Sequence, residues 1–186
     1  VRHMSITTLP VENKIGITTR VPGSNSEFKT RLAMLGIGDE VIFFKFGSRM
    51  QLRRSNRPII LLSMGVGIST LRPVILAFLR DKSNIMRLIN VNVNSSGSHI
   101  YRQELDSLAD GDYINYWLDS RSSYYETLSK LSETPDALYY IVGTDDFMKE
   151  TIRFLNGRNI LNSDIVLDRK EEKLKEYFVE ESQTIE

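Results

Sequence analysis

The chain has 186 residues, room for one large or two small domains, and its 41% hydrophobic and 26% charged residues are ordinary for a globular protein with a real core. Its 24 lysines and arginines balance 24 aspartates and glutamates, which argues against a nucleic acid or an anionic membrane as partner. There is no cysteine and there are only two histidines, His3 and His99, so disulfides, cysteine-ligated zinc and iron–sulfur clusters are excluded and no metal site is expected. The longest apolar run, 57–79, is interrupted by Pro58, Gly65, Gly67, Arg72 and Pro73, so no membrane span is expected. No secretory signal is evident, and a cytoplasmic location is the default expectation.

The front of the chain reads as β-rich. Residues 15–21 alternate and are rich in β-branched side chains, which predicts a strand, and 22–25 (Pro-Gly-Ser-Asn) have turn chemistry. Ser26 suits the N-cap of a helix over 27–35, with Phe28, Leu32 and Leu35 on one face. Gly38-Asp39 turns the chain into a second predicted strand over 40–46, and the basic stretch 49–57 crosses to the next part.

From Pro58 the rhythm becomes strand, helix, strand, helix. Residues 58–64 are almost wholly apolar, as in a central parallel strand covered on both faces. Helices are predicted at 68–80, 100–109, 124–131 and 146–156, and further strands at 87–93, 112–118, 137–142 and 165–167. Such alternation predicts a parallel sheet with helices on both faces. The pairs Tyr124-Tyr125 and Tyr139-Tyr140 read as packing, and the charged segment from Arg169 as a solvated helix with a polar tail at 179–186.

Three turns of this second part carry chemistry. Gly65-Val66-Gly67-Ile68-Ser69-Thr70 lies between a buried strand and a helix, where glycines let the backbone approach a pyrophosphate and the helix start offers N–H groups. The third glycine of the dinucleotide fingerprint is missing, and a plain tight turn is the alternative. Gly143-Thr144-Asp145-Asp146 leaves the strand at 137–142 in the same way; Asp145 or Asp146 could simply cap the helix that contains Met148. Ser120-Arg121 follows the strand at 112–118 and suits a phosphate monoester such as the 2′-phosphate of NADP, whereas Asp119 could accept from a ribose hydroxyl and favour NAD. At the front, Arg2-His3-Met4-Ser5 and Gly23-Ser24-Asn25-Ser26 place phosphate-compatible groups beside a strand and a helix start, although Arg2-His3-Met4 could equally be vector-derived.

Taken in this order, the segments resemble the ferredoxin–NADP⁺ reductase-like flavin reductase superfamily, from Arg2 to about Phe178. The family's flavin-binding Arg-x-Tyr-Ser/Thr strand is similar to Arg2-His3-Met4-Ser5, with Met4 in place of the aromatic residue, and its Gly-x-x-Ser pyrophosphate site to Gly23-Ser24-Asn25-Ser26. Its Gly-Thr-Gly-Ile-Ala-Pro turn resembles residues 65–70, its 2′-phosphate-reading Ser-Arg resembles Ser120-Arg121, and its Cys-Gly-Pro turn resembles Val142-Gly143-Thr144 with Met148 beyond it. Val142 removes the thiol, and several barrel strands that precede the arginine motif in the family have no counterpart before Arg2.

The resemblance implies an α/β protein in which a partial antiparallel flavin-binding β-barrel (1–54) precedes a five-stranded parallel α/β nucleotide-binding domain (55–178). It implies FAD, or FMN, held by Arg2, Met4, Ser5 and Gly23, Ser24, Asn25 and Ser26, with the Ser5 hydroxyl at the flavin's reactive nitrogen. It implies NADP or NAD held by Gly65, Val66, Gly67, Ile68, Ser69, Thr70, Gly143, Thr144, Asp145 and Met148, with Ser120 and Arg121 on a 2′-phosphate. The expected activity passes hydride from NAD(P)H to flavin and electrons on to an unidentified acceptor. Residues suited to general acid–base or nucleophilic catalysis are not evident, which disfavours a hydrolase. A homodimer would cover the edges of an incomplete barrel. The alternative is a non-catalytic dinucleotide-binding or scaffold module that has lost flavin chemistry.

Overall fold

The structure is a computed structural model that describes residues 2–21 and 26–178. Five parallel strands, β1 (Arg57–Met64), β2 (Ile85–Val93), β3 (Tyr113–Leu118), β4 (Leu138–Val142) and β5 (Ile165–Leu167), form one sheet in the order β3-β2-β1-β4-β5. Parallel neighbours need crossovers, and helices supply them: α2 (Ile68–Arg80), α3 (Arg102–Ser107), α4 (Arg121–Leu131) and α5 (Asp145–Asn156). The expected parallel α/β sheet is therefore present.

Strand β1 is buried over Pro58–Ser63 because both its faces are covered. Ile59 and Leu61 pack with Leu71, Ile75 and Phe78 of α2 and Leu105 of α3. Ile60 and Leu62 pack on the opposite face with Tyr124 and Leu128 of α4 and Phe147, Ile152 and Leu155 of α5. The sheet grows in one direction through α2 and α3 and then in the other through α4 and α5. The reversal falls between β1 and β4, the place where doubly wound sheets open a ligand crevice.

Helix boundaries follow their caps. Helix α4 starts at Arg121, three residues before the predicted 124, because the Ser120 side chain accepts from the Ser123 amide at 3.1 Å. Helix α5 starts at Asp145 because Thr144 caps it, accepting from the Phe147 amide at 3.3 Å.

The front is a different matter. Among the described residues of 2–56 there is the helix α1 (Glu27–Ala33), a short 3₁₀ turn (Pro10–Glu12) and one antiparallel bridge, Ile6 with Ile17, but no strand. The strands expected at 15–21 and 40–46 are thus not formed, and the flavin-binding barrel is not seen. A strand is stable only inside a ladder, and the sole backbone pairing found by 15–21 among the described residues is with Ile6 and Thr7. Ser26 occupies the N-cap position of α1 without a side-chain capping hydrogen bond. The segment from Glu171 forms only a short helix, α6 (Glu171–Leu174).

Candidate functional site

The two glycine turns meet at the reversal point. After β1, Gly65 adopts φ +54°, a left-handed conformation that glycine takes without strain, and the space where its Cβ would project is open. A Cβ on Gly67 would lie 2.8 Å from the carbonyl oxygen of Val142, so only glycine lets the β1 and β4 turns lie in contact. A Cβ on Gly143 would lie 2.4 Å from the Phe147 ring carbon Cδ1, so glycine also lets that ring fold back under its own turn. Helix α2 begins at Ile68 directly behind the first turn, and its opening N–H groups make this a place for negative charge.

The remaining expected residues fall into two sets. Val66 is exposed at the turn, Thr70 is half-buried behind it, and the Ser5 hydroxyl lies 2.7 Å from the Thr70 hydroxyl. That contact brings the front motif to the β1 turn. Ile68, Ser69 and Met148 are buried, Met148 within the core beneath α5, so their side chains pack rather than face the crevice. Arg2 is exposed and Met4 half-buried near Ser5, whereas Gly23, Ser24 and Asn25 lie outside the described residues.

Asp145 is held from two sides. Arg169 donates to its Oδ1 at 2.8 Å and the Tyr177 hydroxyl at 2.7 Å, while Arg169 also reaches the Gly143 carbonyl at 3.4 Å. The Arg169 guanidinium, seconded by Tyr177, holds the Asp145 carboxyl below the usual carboxylate range. Burial raises Tyr177. These groups fix the β4 turn from behind.

At the end of β3, Ser120 is occupied as a helix cap, and Arg121 is paired with Glu150 of α5. A polar chain that sequence reasoning missed runs across the strand ends beside them. Asn92, buried on β2, donates to Ser63 Oγ at 2.9 Å and to the Gly65 carbonyl at 3.2 Å, and its Oδ1 lies 2.7 Å from His99 Nδ1. The other ring nitrogen of His99 lies 2.9 Å from Asp119 Oδ1. The signal for it is in the sequence: Asn92 lies between Val91 and Val93 in the buried half of β2, and a polar side chain there needs partners.

A parallel sheet whose strand order reverses between two glycine turns defines a doubly wound α/β fold, and this one is similar to the ferredoxin reductase-like fold. No protein-family model and no curated protein matches the sequence. Solved structures do match. The CS-b5R domains of human Ncb5or (NAD+ form) align with a TM-score of 0.64 at 19% identity, over 83% of this chain and 49% of theirs. The Amycolatopsis cytochrome P450 reductase GcoB aligns with a TM-score of 0.62 at 13% identity, over 89% of this chain and 55% of its own. The ferredoxin reductase in carbazole 1,9a-dioxygenase aligns with a TM-score of 0.56 at 16% identity, over 89% of this chain and 54% of its own. The chain thus spans about half the length of the structures it matches. Among the described residues no helix is long and apolar enough to cross a membrane, and no three or more histidine, aspartate or glutamate side chains cluster as metal ligands would.

Proposed function

We propose that the chain binds a nicotinamide dinucleotide at the reversal point of its sheet and serves a flavin-dependent oxidoreductase of the ferredoxin reductase-like kind. The observation that carries this reading is the contact of the two turns, in which Gly67 lies against the Val142 carbonyl beside a left-handed Gly65. The pyrophosphate would rest on the Gly65–Thr70 backbone at the start of α2, with Gly143 and Thr144 forming the second wall. A bound dinucleotide would supply hydride chemistry, for which a flavin (FAD or FMN) would be the acceptor on the way to an unidentified electron acceptor. The chain's own residues bind and orient: no side chain at the turns is needed as an acid, a base or a nucleophile. The contact of the Ser5 and Thr70 hydroxyls supports a flavin site beside the nucleotide turn, with Arg2 and Met4 as its further candidate contacts.

Calorimetric titration of the whole chain with NADH and NADPH tests the reading. Saturable binding of at least one is expected, and Gly67→Val, which drives a side chain into the Val142 carbonyl, should weaken it about tenfold or more. Absence of binding to both would overturn it. Added FAD that stays unbound, with nicotinamide nucleotide still bound, would leave the second reading, a dinucleotide-binding module without flavin chemistry.

A further inference from the structure

The Gly65 turn is not held by packing. Glycine takes φ +54° there without strain, yet it takes other conformations about as readily, and nothing beyond its chain neighbours lies within 4 Å of where a Cβ would project. Which way the peptide between Gly65 and Val66 faces is therefore set by something else. The choice matters, because a trans peptide points its carbonyl and its N–H to opposite sides. With the carbonyl turned to the sheet, the Val66 N–H faces the crevice, as an anion requires. With the carbonyl turned outward, the negative end of the peptide dipole would face the anion instead.

One buried side chain makes the choice. Asn92 of β2 donates through Nδ2 to the Gly65 carbonyl at 3.2 Å and to Ser63 Oγ at 2.9 Å. The carbonyl is thereby held toward the sheet, and Val66, the next residue, is exposed. The hold depends on which way the Asn92 amide is turned, since its Oδ1 in place of Nδ2 would repel the carbonyl. His99 settles that. Its Nδ1 lies 2.7 Å from Asn92 Oδ1, and an N–H there keeps the amide oxygen on the His99 side and the amide nitrogen on the Gly65 side. The imidazole is fixed in turn. Its side chain is wholly enclosed, its ring centroid lies 5.4 Å from that of Trp117, and Asp119 Oδ1 stands 2.9 Å from Nε2.

We propose that Asn92 and His99 are positioning residues of the β1 turn: Asn92 holds the Gly65–Val66 peptide with its N–H toward the crevice, and His99 holds the Asn92 amide the right way round. The inference rests on the dinucleotide reading and deepens it. Both residues act through the turn rather than by touching the ligand. They set the peptide in its anion-accepting orientation before a phosphate arrives, so that binding does not have to turn it. The pyrophosphate is common to NADH and NADPH, so the pair governs affinity for both alike and not the choice between them.

Titration of the whole chain and its variants with NADH and NADPH tests this. Asn92→Leu keeps the bulk in β2 and removes the donor, and it should weaken whichever nucleotide the unaltered protein binds by about tenfold or more. His99→Leu should weaken it about fivefold, the worth of a hydrogen bond. His99→Asn, whose amide nitrogen can stand where Nδ1 does, should return the affinity to within about threefold of the unaltered protein. His99→Asn binding as weakly as His99→Leu would overturn the part given to His99. The Val66 amide proton is the readout that a merely structural role would not move. Its NMR resonance should shift on saturation of the unaltered protein with nucleotide and should not shift in Asn92→Leu. Should Asn92→Leu not fold, the unaltered protein decides: a Val66 amide that ignores the bound nucleotide overturns the proposal. Affinity unchanged within about threefold in Asn92→Leu would sink it too and leave the dinucleotide reading standing. Failure of the unaltered protein to bind either nucleotide removes the two together.

Discussion

Residues 26–46 and 57–178 carry similar kinds of apolar residue and come to opposite ends. In the second region Ile59, Ile60, Leu61 and Leu62 are fully buried between two helical layers. In the first, Met34, Ile37, Ile42 and Phe46 stand exposed, Ile42 at 89%. The difference is one of partners. Strand β1 has β2 on one side and β4 on the other, and each crossover helix returns to cover a face. Among its described residues the front has one bridge, and it is fastened to the body by side chains: Arg72 of α2 pairs with Glu12 and Glu104 and donates to the Thr7 carbonyl, Ser5 meets Thr70, and Thr18 meets Tyr101. A β-pattern is thus a request for neighbours, and it produces a strand only where the neighbours exist.

The largest effect should come from cutting the body's core. Leu62→Ala removes a fully buried side chain from β1 and should cost about 3 kcal/mol of stability, whereas Ile42→Ala at the front should change it by less than about 0.5 kcal/mol. Chemical denaturation measures both; equal losses would mean that the two regions share one core after all. Next comes the fastening. Arg72 is 11% exposed with Glu12 on one side and Glu104 on the other, and Arg72→Ala leaves both carboxylates without it. A loss of about 2 kcal/mol is expected from removing these charge-assisted hydrogen bonds from carboxylates that water still reaches. Hydrogen exchange should show new opening in the segment around Thr7 and Gly16, with the sheet still protected; uniform opening of both would contradict the separation.

Acid should loosen the same fastening more gently. Arg72, through its hydrogen bonds, holds the Glu12 carboxyl below the usual range. A depressed carboxylate stabilises the fold above its unfolded value, and the contribution is lost as pH falls through the lowered one. Protection of the Leu9 amide, which donates to Glu12 at 2.7 Å, should therefore persist at neutral pH and fall at pH below the usual carboxylate range. Protection that declines on raising the pH from neutral would reverse the assigned sign.

Much of this division was legible in the residues. Continuous apolar runs at 58–64 and 137–142, each ending in glycine and followed by a helical period, identify central strands and the turns at their ends, because burial on both faces leaves no other composition. The two β-like runs at the front were equally regular but locally ambiguous, since alternation says which face a strand would bury and not whether a partner is present. In the site, the glycines were readable because close backbone approach demands them. The occupation of Ser120 as a cap and of Arg121 by Glu150 was not, for a partner 29 residues away is set by the crossing of α4 and α5. The chain from Gly65 through Asn92 and His99 to Asp119 likewise joins three strand ends that only the sheet order brings together.

The smallest effect belongs to that Arg121 pair, and it separates surface order from internal order within the body itself. Arg121 and Glu150 are 53% and 40% exposed, so water solvates either charge once its partner is gone. Arg121→Ala should then shift stability by no more than about 0.5 kcal/mol, in contrast to Arg72→Ala, although both arginines make ion pairs. The same variant discriminates between ligand readings. If Arg121 is taken up by Glu150, NADH and NADPH affinities should each move by less than about threefold. If Arg121 instead leaves Glu150 to grip a 2′-phosphate, NADPH alone should weaken by about tenfold or more.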